Sequence, residues 1–101
     1  MEKNIHISML LEIYGKLLTK KQYDVIDLYY NQNLSLSEIA EDENITRQGV
    51  RKNLVDAETK LFDYEEKMQI LKQKLQRNKI IENLIKETED VSFKEKLQKL
   101  L

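Results

Sequence analysis

One segment constrains the fold more than any other: it runs from Leu34 to Leu54 and reads LSLSEIAEDENITRQGVRKNL. Ser35 and Glu38 have the spacing of a capping box, which predicts that a short helix begins after Ser35. Asn44 follows that helix, and asparagine tolerates the left-handed backbone conformation that ends a helix and turns the chain. Thr46 is a favourable N-cap for a further helix. The segment therefore predicts two helices joined by a tight turn.

The apolar residues of this segment have the spacing that such a corner needs. Ile39 and Ala40 would face the second helix, and the small side chain of Ala40 would allow a close approach. Ile45 would fill the corner, while Val50 and Leu54 would anchor the second helix from beneath. This arrangement is a helix-turn-helix motif.

The outer face of the second helix carries the residues that we predict to bind DNA. The first residues of a recognition helix lie near base edges in the major groove. Arg47 and Arg51 can donate two hydrogen bonds to guanine, and Gln48 can pair in the same way with adenine. Thr46 and Lys52 suit phosphate oxygens, which fix the register of the protein on the duplex.

The charge balance leaves a second hypothesis open. The net charge is −1; residues 1–62 hold 8 basic and 10 acidic side chains (8 − 10 = −2), and residues 63–101 hold 9 and 8 (9 − 8 = +1). Glu38, Glu41, Asp42 and Glu43 precede the predicted recognition helix and would weaken non-specific binding to phosphates. Because helix-turn-helix units also serve as structural corners and protein-docking surfaces, a protein-interaction module is the alternative to a DNA-binding regulator.

The rest of the chain is predicted to be helical as well, which makes the fold class all-α. The sequence has no proline and only two glycines, and it is rich in strong helix formers. A first helix is predicted over 4–17, where Ile5, Met9, Ile13 and Leu17 recur every four residues and Leu10 and Leu11 beside them widen the apolar stripe. Thr19 and Gln22 form a capping box that opens a second helix.

A long helix is predicted from Thr46 to about Arg77-Asn78, and at about 32 residues it would span roughly 48 Å. Its apolar residues recur at alternating steps of four and three, which is typical of a coiled-coil seam. The seam consists of Val50, Leu54, Ala57, Leu61, Tyr64, Met68, Leu71 and Leu75.

We predict a helix-turn-helix domain over 1–62 and a helical dimerisation segment over 63–101. The predicted homodimer contacts are Leu61, Tyr64, Met68, Leu71 and Leu75. Alternatively, a short helix containing Ile80, Ile81, Leu84 and Ile85 folds back and covers the seam within one chain. A last helix is predicted to begin at the capping box of Ser92 and Glu95.

The sequence lacks the residues that several classes of function require. There is no cysteine, His6 is the only histidine, and no glycine-rich phosphate loop is present, so we predict no metal, no cofactor and no enzymatic activity. No apolar stretch is long enough for a membrane span, and the N-terminus lacks the features of a signal peptide. We therefore expect a cytoplasmic protein without membrane insertion.

The residues from Leu18 to Leu61 resemble the promoter-reading region four of bacterial sigma factors, chiefly through LSLSEIAEDENITRQGVRKNL. The whole chain, with LTKKQYDVIDLYY, TRQGV and LFDYEEK, resembles the YlxM family of small helix-turn-helix proteins. That family is typically encoded beside the genes of the signal recognition particle. The resemblance implies a protein that regulates or assists this pathway, through DNA or by docking on components of the particle.

Overall fold

A computed structural model describes residues 2–101, and every regular element within them is helical, which confirms the all-α class. The helices are α1 (Lys3–Tyr14), followed by a 3₁₀ turn (Gly15–Leu17), then α2 (Lys20–Tyr30), α3 (Leu36–Glu43), α4 (Arg47–Met68), α5 (Ile70–Glu87) and α6 (Val91–Gln98). The chain forms two compact units, of which the first ends at Met68 and the second is Gln69–Leu101.

The first unit is built around α4, which packs against α1, α2 and α3. Its fully buried side chains come from all four helices and include Ile7, Ile26, Ile39 and Leu61. Burying an aliphatic side chain of this size contributes roughly 1.5–3 kcal/mol. The seam residues of α4 up to Leu61 are therefore buried within this unit.

The orientation of α1 differs from the one that the four-residue stripe suggests. The side chains that α1 buries are Ile7, Leu10, Leu11 and Tyr14. In contrast, Ile5 remains 47% exposed and Leu17, in the following 3₁₀ turn, 53% exposed. Both sides of α1 are apolar, so periodicity alone could not decide which side faces the core. Of the residues spaced by four, Ile5 and Leu17 therefore face outward, while Met9 and Ile13 are half-buried.

Two predicted capping boxes are present with both of their hydrogen bonds. The Gln22 backbone N–H donates to Thr19 Oγ1 at 3.2 Å, and the Thr19 backbone N–H donates to Gln22 Oε1 at 3.1 Å. Ser35 and Glu38 exchange the same pair of bonds, each at 3.1 Å. These bonds satisfy backbone donors that have no partner within their helix, and they fix where α2 and α3 begin.

The prediction of one helix from Thr46 to Asn78 is wrong. The fourth helix ends at Met68 because Gln69 adopts a left-handed conformation, with φ 54° and ψ 30°, and α5 starts at Ile70. The predicted break at Arg77-Asn78 is absent, since α5 continues through it to Glu87. Ile80, Ile81, Leu84 and Ile85 accordingly belong to α5 and do not form a separate helix.

In the second unit α5 and α6 pack together, with Ile81 and Leu97 buried. The predicted cap at Ser92 is wrong: α6 begins two positions earlier, and the Phe93 backbone N–H donates to Asp90 Oδ1 at 3.1 Å. Aspartate caps a helix as well as serine does, and its charge also suits the positive end of the helix dipole. Ser92 therefore lies inside the first turn.

None of the helices within residues 2–101 combines the length and the apolarity that a bilayer crossing demands. No three histidine, cysteine, aspartate or glutamate side chains in that range are grouped so that they could share a metal ion.

Candidate nucleic-acid interface

The turn between α3 and α4 has the conformation that the sequence predicts. Asn44 is left-handed, with φ 54° and ψ 46°. The Ile45 backbone N–H donates to the Ala40 carbonyl at 3.0 Å, and the Asn44 N–H donates to the Glu41 carbonyl at 3.3 Å. These two bonds make a Schellman motif, which satisfies the last carbonyls of α3 and reverses the chain.

Buried side chains hold the two helices of the motif together. Ile39 and Val50 are fully buried, and Leu54 is almost so. Ala40 and Ile45 are half-buried at the corner. The helix-turn-helix motif is therefore a packed part of the first unit, and its outer face has a fixed direction.

Thr46 caps α4, as predicted. Its Oγ1 accepts a hydrogen bond from the Gly49 backbone N–H at 3.0 Å, and its carbonyl accepts one from the Val50 N–H at 3.0 Å. A Cβ atom at position 49 would lie 3.2 Å from Thr46 Oγ1, so the glycine leaves room for this cap. The Thr46 hydroxyl can accept this bond and still donate its own hydrogen.

The structure brings three of the predicted DNA-binding side chains to one cleft. Arg47, Gln48 and Arg51 are exposed, and together with Leu36 they line a cleft of about 170 Å³. Thr46 and Lys52 are also exposed, at the start of α4 and beside Arg51. Among residues 2–101 neither arginine takes part in an ion pair. Both guanidinium groups are accessible to a ligand.

The acidic side chains of α3 face elsewhere. Glu38, Glu41 and Asp42 line a separate depression of about 360 Å³ with Leu34. Hydrogen bonds to Ser35 lower the pKa of Glu38, so its carboxylate is charged at neutral pH. These acids would repel phosphates near their depression, but none of them lines the arginine cleft.

The predicted dimer contacts belong to two helices, α4 and α5, since Gln69 interrupts the one predicted helix. Leu61 is fully buried and Leu71 is 4% exposed, whereas Met68 is 43% and Leu75 37% exposed. Tyr64 is half-buried, with its ring centre 5.9 Å from that of Tyr14. Met68 and Leu75 are thus the members of the set with the most surface left for another molecule.

Sequence reasoning missed two contacts within the first unit. Leu36 is half-buried and lines the arginine cleft. The Tyr30 hydroxyl donates to the Glu58 carboxylate, which also lies 3.4 Å from Lys3 Nζ. Burial, followed by this hydrogen bond, raises the pKa of Tyr30. The residues are far apart in sequence, so no local pattern could reveal either contact.

Comparison with known proteins gives consistent matches along the chain. A family model described as "UPF0122: Putative helix-turn-helix protein, YlxM / p13 like" matches residues 1–101. A UPF0122 protein of Clostridium botulinum is 37% identical over 109 residues, covering 99% of this chain and 100% of the relative. A UPF0122 protein of Lactococcus lactis subsp. cremoris is 44% identical over 85 residues, covering 84% of this chain and 77% of the relative.

Proposed function

We propose that this chain, which belongs to the UPF0122 family of YlxM- and p13-like helix-turn-helix proteins, is a regulator that binds duplex DNA. The observation that carries the proposal is the cleft at the start of α4, where Arg47, Gln48 and Arg51 are exposed together. Their direction is fixed by the buried corner between α3 and α4.

Each of these side chains has a distinct role in the proposal. Arg47 and Arg51 read guanine and Gln48 reads adenine, because their donors and acceptors match those base edges in the major groove. Lys52 and the Thr46 hydroxyl bind phosphates and set the register. The first turns of α4 would lie in the groove, as in other helix-turn-helix proteins.

The charges of the chain set an upper limit on non-specific affinity. Three basic side chains and no acidic one fall within residues 46–55, while the net charge of the protein is −1. Because Lys52 is the one basic side chain assigned to a phosphate, each protomer should contribute a slope of roughly −1 to the fall of the logarithm of the binding constant against the logarithm of salt concentration. We therefore expect specific binding with a shallow salt dependence.

The test is selection from a random duplex library at fixed salt, followed by affinity measurements on the selected sequence. Arg47→Ala/Arg51→Ala should weaken binding at least ~30-fold, because each bidentate contact is worth about 1–3 kcal/mol. Arg77→Ala/Lys79→Ala is the matched control, since it removes two exposed positive charges from α5. Equal affinities of the two double variants would contradict the assigned role of α4.

We also propose that the protein acts as a homodimer. The second unit, Gln69–Leu101, buries few apolar side chains and exposes many, among them Ile80, Leu84, Val91, Phe93 and Leu100. A unit of this size usually needs disulfides, a metal or association with another surface, and the sequence has no cysteine. A two-fold dimer would present two copies of α4 to a palindromic site.

Sedimentation equilibrium tests the dimer. The wild-type protein should have twice its chain mass of 12.1 kDa. Met68→Glu/Leu75→Glu should give the monomer mass, because a buried unpaired charge at an interface is strongly unfavourable. Val55→Glu is the control, since Val55 is also exposed but lies outside the predicted contact set. A wild-type monomer at micromolar concentration would contradict the proposal.

A second candidate function is docking on components of the signal recognition particle, because the family resemblance implies a role in that pathway. The observation that favours it is the exposure of Ile5, Leu17 and Phe62. The Phe62 ring packs edge-on against His6, with ring centres 5.4 Å apart. Purified particle protein and purified particle RNA, each immobilised, should then retain the chain from a solution freed of DNA by deoxyribonuclease. Ile5→Glu/Leu17→Glu should abolish this retention. If neither component retains the wild-type chain, this candidate is excluded.

A further inference from the structure

The cleft at the start of α4 is not uniformly polar. Arg47, Gln48 and Arg51 contribute hydrogen-bonding groups, whereas Leu36 contributes only hydrocarbon. Leu36 is the first residue of α3 and is half-buried, unlike Ile39 on the same helix, which is fully buried. A leucine at this position therefore offers part of its side chain to whatever enters the cleft.

The cleft has room for a small apolar group as well as a base edge. Its volume of about 170 Å³ is many times the roughly 10–15 Å³ that a cavity needs to hold one water molecule. A methyl group is of similar size to a water molecule, so one methyl against Leu36 would leave the guanidinium groups free to reach neighbouring atoms.

We infer that Leu36 is a specificity-determining residue that contacts the 5-methyl group of a thymine, with Arg47 or Arg51 reading an adjacent guanine. Thymine is the one base that presents a methyl group in the major groove, and apolar side chains recognise it by contact. This inference rests on the proposed DNA-binding function and names the base chemistry that the cleft selects. It also gives the protein a preference for thymine over uracil, which lacks the methyl group.

The experiment uses the duplex that wild-type protein selects from a random library. Each thymine of that duplex is replaced singly by deoxyuridine, which removes only the methyl group. One position per half-site should lose affinity about fourfold, the equivalent of the ~0.8 kcal/mol gained by burying one such group. At that position Leu36→Ala should bind the thymine and deoxyuridine duplexes equally, whereas Leu36→Met should retain the preference.

Val55→Ala is the matched control, because Val55 is an exposed aliphatic residue that does not line the cleft, and it should keep the wild-type preference. Far-UV circular dichroism verifies that each variant is folded. A selected duplex that tolerates every deoxyuridine, or that contains no thymine, overturns the inference and leaves the proposed function intact. A preference that survives Leu36→Ala also overturns it. Failure to select any duplex rejects the proposed function and this inference together.

Discussion

Replacing Gln69 by glycine should raise the free energy of unfolding if the helix is broken at this residue, and lower it if the helix is continuous. In the structure Gln69 has a left-handed conformation, which costs a residue with a Cβ atom about 1–2 kcal/mol. Glycine removes that cost but makes the unfolded chain more flexible, which offsets about 0.4–1 kcal/mol. Gln69→Gly should therefore stabilise the protein by roughly 0.5–1 kcal/mol.

In an unbroken helix the same substitution would destabilise the protein by about half a kcal/mol, because glycine is a much poorer helix former than glutamine. Gln69→Ala is the matched control. Its free energy of unfolding should be close to that of the wild type if residue 69 is left-handed, and slightly higher if residue 69 lies in a helix. Urea unfolding followed by circular dichroism measures all three proteins. A Gln69→Gly variant less stable than both others would refute the break between α4 and α5.

Three further predictions concern the first unit. Asn44→Ala should lower the free energy of unfolding by about 1 kcal/mol and Asn44→Gly should not, since glycine adopts the left-handed turn without strain; urea titration measures both. Thr46→Ala should cost about 1 kcal/mol by the same measurement, while Thr46→Ser should retain the cap to Gly49. Because the pKa of Tyr30 is raised in the folded state, the phenol of the unfolded chain loses its proton first as pH rises above about 10. The free energy of unfolding should therefore decline above that pH. Tyr30→Phe should show a smaller decline in melting temperature between pH 9 and 11, and an equal decline would contradict the assignment.

The parts of the fold that were predictable are those specified by neighbouring residues. Thr19 with Gln22 and Ser35 with Glu38 place their polar groups within one turn, so the sequence alone fixes the helix starts. Asn44 likewise marks the turn through its own backbone preference. The helix-turn-helix motif follows from such local signals, and so does the set of outward side chains on α4.

The break at Gln69 was unpredictable because no local signal accompanies it. Glutamine is a good helix former, and the apolar steps of the seam continue from Met68 to Leu71 without a glycine, proline or asparagine between them. By contrast, Asn78 looked like a breaker but lies inside α5. Helix formation by the surrounding residues outweighed the weak preference of a single asparagine.

At the candidate site, too, the sequence predicts what neighbouring residues specify but not what depends on the packing of separate helices. The spacing of Arg47, Gln48 and Arg51 on one helix predicts that they project together. Leu36 belongs to a different helix, so its presence beside them depends on the angle between α3 and α4 and on the packing of Ile39 and Val50. Only the assembled corner reveals that the cleft is partly apolar.

Parallel selection of random duplexes by the wild-type protein and by Arg47→Ala/Arg51→Ala tests the central claim most directly. We expect the wild-type protein to enrich one guanine-containing sequence, arranged as two related half-sites, and the folded double variant to enrich none. Enrichment of the same sequence by both proteins would contradict the claim that α4 reads DNA through these arginines.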